Sequence, residues 1–141
     1  MSFSQANAAW HGSIKAGQGM MHPAHGPEVP FSLATRFEGK PGSNPEEMLG
    51  SALAGCFSMA LSLGLEKGGL TPESIKTSAK TYLEKDGEGF SIPKIQLTTE
   101  IKASGGDAEK IKAIALETKK QCPVSKALAS ITIELEVKVA T

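Results

Sequence analysis

The chain has 141 residues, a length that fits one domain, 1–141, burying roughly two-thirds of its unfolded surface. Hydrophobic residues make up 40% and charged residues 21%, the balance of an ordinary soluble globular protein. Fifteen basic and fifteen acidic residues cancel. The one dense basic spot, Lys119-Lys120, is far too small for a nucleic-acid footprint. Residues 1–5 have no basic stretch leading into an apolar one, so the expected setting is cytoplasmic. There two cysteines stay reduced unless they are catalytic, sensing or metal-bound.

In chain order, residues 8–16, 19–22 and 31–37 read as short strands, separated by the Gly/Pro-rich 22–30. A long helix follows. Asn44 is its N-cap, Pro45 occupies the first helical position and Glu46-Glu47 sit in the first turn, where carboxylates complement the dipole. It stops near Gly68-Gly69, after about 23 residues or on the order of 35 Å. Its middle, 48–65, is uncharged and about long enough for a membrane span. However, six of those eighteen residues are Gly or Ser, charged residues bracket the stretch, and no aromatic belt flanks it. A helix buried on all sides is the expectation, with no membrane partner. One chain this short offers little cover for such a helix, which points to a dimer.

The next elements follow their periods. Thr77-Ala79-Thr81-Leu83 alternates weakly, Ile95-Leu97-Thr99-Ile101 clearly, and Asp86-Gly87-Glu88-Gly89 between them is a hairpin signal. From Asp107 to about Gln121, the residues Ile111, Ile114, Ala115, Thr118 and Cys122 line one helix face. Pro123 interrupts, and 124–129 can continue as a short separate helix. Ile131, Ile133, Leu135, Val137 and Val139 alternate with polar residues in a last strand. The order predicts an α+β protein whose sheets can be one-sided and antiparallel.

Chemistry centres on two thiols. Cys56 lies mid-helix in apolar surroundings, where it is either a small core hydrophobe or a reactive thiol that needs a cation from another segment. Depressing its pKa by two units takes about 2.7 kcal/mol, within the reach of one well-placed guanidinium. Cys122, followed by Pro123 near a helix start, is either a structural thiol or the partner of Cys56 in a reversible disulfide. Arg36 is the only arginine and has the planar fork to hold a thiolate or a peroxide oxygen while paired with a carboxylate; its bland alternative is a surface charge. For Glu46 and Glu47 the bland alternative is first-turn dipole complement. His11, His22 and His25 have no metal-ligand spacing, so no metal is expected. GxSxG, GxGxxG and phosphate-loop patterns are absent from the sequence.

Trp10-His11-Gly12, Thr35-Arg36-Phe37-Glu38-Gly39, Asn44-Pro45-Glu46-Glu47-Met48-Leu49-Gly50, Ala54-Gly55-Cys56-Phe57-Ser58-Met59-Ala60-Leu61 and Cys122-Pro123-Val124-Ser125 together resemble the osmotically inducible protein C (OsmC) family. The match runs in order from Trp10 to the last strand. It is closer to that branch than to the sister organic hydroperoxide resistance branch. The 22–30 segment does not align.

The resemblance implies an intertwined homodimer with antiparallel sheets wrapped around long central helices, acting as a thiol-dependent peroxidase on organic hydroperoxides. It implies Cys56 as peroxidatic cysteine, Cys122 as resolving cysteine, Arg36 as stabiliser of the thiolate and Glu46 as the carboxylate orienting that arginine. No bound cofactor is implied, only an external dithiol reductant, with a lipoyl-type group as one option. Glu46 and Cys56 lie ten residues apart on one helix, about 15 Å along its axis. A shared site is therefore expected, with Glu46 and Arg36 supplied by the partner subunit. Two rivals remain: a redox-sensing or interaction protein using the same disulfide without turnover, and a ligand-binding dimer with inert thiols.

Overall fold

Ser32 and Thr35 decide the first surprise of the N-terminal region. The computed structural model describes residues 1–140 and divides into two compact units, 1–48 and 49–141. In the first unit, β1 (Ala6–His11), β2 (Gln18–Pro23) and β3 (Val29–Phe31) form an antiparallel sheet in that order. Gly19 pairs with both Trp10 and Phe31, whose rings meet at 5.6 Å. A Cβ at Gly19 would lie 2.6 Å from the Phe31 ring, so glycine is what lets the two aromatics close over the central strand.

The predicted strand over 31–37 ends at Phe31. Helix α1 (Leu33–Phe37) follows, and Arg36 lies on it rather than on a strand. Ser32 is extended and its hydroxyl accepts from the Thr35 amide, while the Thr35 hydroxyl accepts from the Ser32 amide. This reciprocal cap nucleates a turn that the strand pattern concealed. Thr35 also donates to the Ser43 carbonyl at 2.6 Å, which ties α1 to the chain entering α2 (Pro45–Lys67). The predicted strand over 8–16 likewise stops early, at His11, and a tight turn follows in which the Gly17 amide bonds the Ser13 carbonyl.

Helix α2 starts as expected, with Asn44 Oδ1 accepting from the Glu47 amide at 2.8 Å. It ends at Gly68-Gly69, where Gly69 takes φ +85 and reverses the chain. In the second unit Leu53, Phe57, Leu61 and Leu65 recur every fourth residue, and none has exposed surface. They join Ile95, Leu97, Ile101, Ile111, Ala115 and Cys122 in one core. Burying each such side chain contributes roughly 1.5–3 kcal/mol. By length and composition α2 could cross a membrane; in this fold that apolar stripe is the core. The opposite face is open: Met59 is 74% and Leu63 52% exposed, and a Cβ at Gly55 would meet nothing.

The second sheet runs β4 (Thr71–Thr81), β7 (Lys94–Ser104), β8 (Thr132–Val139). The hairpin at Gly87 forms a separate two-stranded ribbon of β5 (Glu84–Asp86) and β6 (Gly89–Ser91). Antiparallel pairing holds for β4 with β7. It does not hold for the last strand: β8 joins β7 in parallel, a departure from the all-antiparallel expectation. The cause is the crossover through α3 (Ala108–Gln121) and α4 (Pro123–Ala127), which returns the chain to the starting end of β7. The predicted face of α3 is the packed one, with Ile111, Ala115 and Thr118 buried. Where α2 approaches the sheet, Ser58 donates to Thr77, which shares a further bond with the fully buried Thr99.

Candidate redox site

Each unit assembles one pair of the four residues singled out in the sequence. In the second unit, Cys56 is carried by α2 one residue before the fully buried Phe57, which leaves its thiol half-buried. Cys122 closes α3 and serves as the N-cap of α4. Its amide bonds the Thr118 carbonyl at 2.9 Å, and its side chain has no exposed surface. Pro123 sets this arrangement, because it ends α3 and begins α4 without needing an amide partner. Both cysteines are free, and the two thiols lie close enough for each to influence the ionisation of the other.

The two thiols are shifted in opposite directions. The Cys56 thiol is pushed up, first by burial and then by the neighbouring Cys122 thiol; the Val124 amide works against these, and the charge of an ionised Cys122 adds to them. Burial also opposes ionisation of Cys122, but it is outweighed. The hydrogen bond from Cys56, the Ser125 amide and hydroxyl, and the Val124 amide together bring Cys122 below its ordinary value. The turn after Cys122 thus favours its thiolate electrostatically, although the Cys122 side chain makes no capping hydrogen bond to α4. From the sequence, a cation is expected to activate Cys56 and the nearby helix start to favour Cys122, with no individual role for Val124 or Ser125. Their signal was Pro123, which fixes the start of a helix whose first free amides point back at residue 122.

In the first unit, Arg36 and Glu46 form a two-pronged ion pair. Arg36 Nε donates to Glu46 Oε2 at 3.2 Å and Nη2 donates to Oε1. Glu46 is 6% exposed, and the Arg36 guanidinium lies 5.5 Å from the Phe37 ring. The parallel fork explains why arginine rather than one of the fourteen lysines occupies this position. Glu47, the neighbour with which Glu46 could be confused, instead accepts from Ser43 at 2.6 Å. The segment that resisted alignment, 22–30, contains the end of β2, a turn at Gly26 and the start of β3. Its Glu28 lines a cleft of about 670 Å³ with His11, Lys15, Phe31 and Lys40. Among the described residues, no group of three His, Cys, Asp or Glu side chains could hold a metal ion.

Chemically, the thiol pair can pass between dithiol and disulfide. The arginine fork offers a fixed positive charge. A family model described as OsmC-like protein matches residues 37–136. Peroxiredoxin OsmC of Escherichia coli (strain K12) is 44% identical over 137 residues, covering 95% of this chain and 96% of that protein. Among solved structures, an OsmC-like protein from Mycoplasma pneumoniae superposes with a TM-score of 0.79 at 16% identity, covering 99% of both chains. The organic hydroperoxide resistance protein OhrB of Bacillus subtilis superposes with a TM-score of 0.68 at 21% identity, covering 96% of this chain and 98% of that one. These last two likenesses concern the fold, whereas the family match and the 44% identity concern descent: the chain belongs to the OsmC-like protein family.

Proposed function

We propose that this protein is a thiol peroxidase that reduces organic hydroperoxides to alcohols in defence against oxidative stress. The observation that carries the reading is the proximity of Cys56 and Cys122, two thiols from distant segments that influence each other's ionisation. Its relationship to a peroxiredoxin supports the reaction class. The Cys56 thiolate attacks the distal peroxide oxygen, the O–O bond breaks, and the alkoxide leaves as alcohol after taking a proton. Cys56 is then a sulfenic acid. The Cys122 thiolate attacks its sulfur and expels hydroxide, which leaves as water, and the disulfide forms. An external dithiol, such as a lipoyl group, returns both thiols.

For the first step Cys56 must lose its proton against burial and the neighbouring Cys122. A positive charge brought to the sulfur reverses that balance. Arg36 is our assignment for that charge, with Glu46 as the carboxylate that orients its fork. We assign both to the partner subunit of a homodimer, so that each site is shared. The open Gly55, Met59 and Leu63 face of α2 supplies an apolar surface for such pairing. The exposed Met59, one turn along α2 from Cys56, would favour an organic hydroperoxide over hydrogen peroxide. Steady-state turnover of cumene hydroperoxide with dithiothreitol and with reduced lipoamide tests the reading. Sustained turnover by wild type and none by Cys56→Ser is the expected result. One stoichiometric oxidation without turnover would instead mark a redox sensor.

A further inference from the structure

Ser125 is the one site residue whose polar group has no evident structural use. It occupies the third position of α4, where a cap's reciprocal partner would reach back to the amide of residue 122. That amide is already bonded to the Thr118 carbonyl. The Ser125 hydroxyl is buried, with the residue 8% exposed, and has no conventional hydrogen-bond partner. A buried hydroxyl in that condition is unfavourable to keep, and it calls for a state in which it is satisfied. It lies in the first turn of the helix that Cys122 caps, three residues beyond that sulfur, and favours its thiolate. Neutral thiols are weak acceptors, whereas a thiolate accepts strongly, so the hydroxyl finds its full partner only when Cys122 is ionised.

The two sulfurs also differ in access. Cys56 keeps some exposed surface and Cys122 keeps none, so a dithiol from solution meets the disulfide at Cys56. We propose that Ser125 is a positioning residue for the reductive half of the cycle: it holds Cys122 as the leaving thiolate when the external dithiol attacks Cys56. This deepens the peroxidase reading and rests on it. A thiolate of the reductant attacks Cys56 Sγ, the Cys56–Cys122 bond breaks, and its electron pair goes to Cys122, which accepts from Ser125. The second thiol of the reductant then attacks its own mixed-disulfide sulfur. That releases the Cys56 thiolate and leaves the reductant oxidised by two electrons. Stabilising the leaving thiolate speeds exchange.

The test begins with the protein disulfide made by diamide, so that it does not depend on hydroperoxide turnover. Ser125→Ala should slow reduction by dithiothreitol at neutral pH by about tenfold, the scale of one hydrogen bond to a charged group. It should also raise the titration midpoint of Cys122, followed by thiolate absorbance in the reduced protein. In wild type, β-mercaptoethanol should leave its mixed disulfide on Cys56, mapped by mass spectrometry. An unchanged reduction rate, a slower rate with an unmoved titration, or a mixed disulfide on Cys122 would each overturn the proposal. Failure of wild type to consume hydroperoxide in a parallel assay would count against the peroxidase reading alone, because the reduction rates decide the role of Ser125 by themselves.

Discussion

The ion-pair region and the thiol region achieve electrostatic control by opposite means. In residues 1–48 a formal charge, Arg36, is held by a formal countercharge, Glu46, through two parallel hydrogen bonds. In the second unit the influences on the two sulfurs are of another kind. Burial, the neighbouring thiol, two amides and a hydroxyl set their balance. The comparison teaches that the second region by itself favours ionisation of Cys122, not of Cys56. In the proposed cycle Cys56 needs a cation from another segment, which would make its activation a matter of assembly.

The largest expected effects come from removing a whole function. Cys56→Ser should abolish hydroperoxide consumption, while Cys122→Ser should consume about one equivalent per subunit and then stall as a sulfenic acid or over-oxidise. Protection of Cys56 by the Cys122→Ser change would reverse the assigned roles. Next, Arg36→Ala should slow single-turnover oxidation of Cys56 by about a hundredfold if the guanidinium lowers that thiol by two units. Arg36→Lys should recover little of this, because an ammonium lacks the two-pronged geometry. An oxidation rate unchanged in Arg36→Ala would leave the two regions functionally unconnected.

Mixing sharpens the comparison further. Heterodimers of inactive Cys56→Ser and inactive Arg36→Ala subunits should regain one intact site each. Mixed dimers that form without recovering activity would place both pairs within one chain's site. A smaller effect concerns proton sharing. With Cys122→Ala the Cys56 titration should move down, because the acceptor and the neighbouring negative charge that hold its proton are gone. With Cys56→Ala the Cys122 titration should move up, because a donor to its thiolate is lost. Titrations that stay put in both variants would mean that the thiols ionise independently. Least of all, Ser32→Ala should lower stability by about 1 kcal/mol through the lost cap of α1, seen as a small fall in Tm. It should slow Cys56 oxidation only insofar as α1 aims Arg36.

What could be read in the sequence follows the same division. Helix α2 was legible at both ends because Asn44, Pro45 and Gly69 are chemical punctuation. The packed face of α3 was legible because its period is long enough to count. Helix α1 was not: five residues hold too little period, and its only mark was Ser32 with Thr35 three positions on. The parallel entry of β8 was hidden because alternation every second residue is identical in either direction, and only the α3–α4 crossover settles it. At the site, residue types indicated which sulfurs and which charge to watch. The direction of proton sharing was illegible, since backbone amides and a burial difference leave no trace in residue identity.

One measurement addresses the central claim, that Cys56 and Cys122 are a single peroxide-oxidised pair. The reduced protein is titrated with an organic hydroperoxide in the absence of reductant, while alcohol release and intact mass are followed together and the oxidised product is mapped by peptide mass spectrometry. The account predicts one alcohol per subunit, a loss of two hydrogens and a disulfide linking Cys56 to Cys122 within the same chain. Alcohol release with both thiols still free, or a disulfide found only between chains, would contradict it.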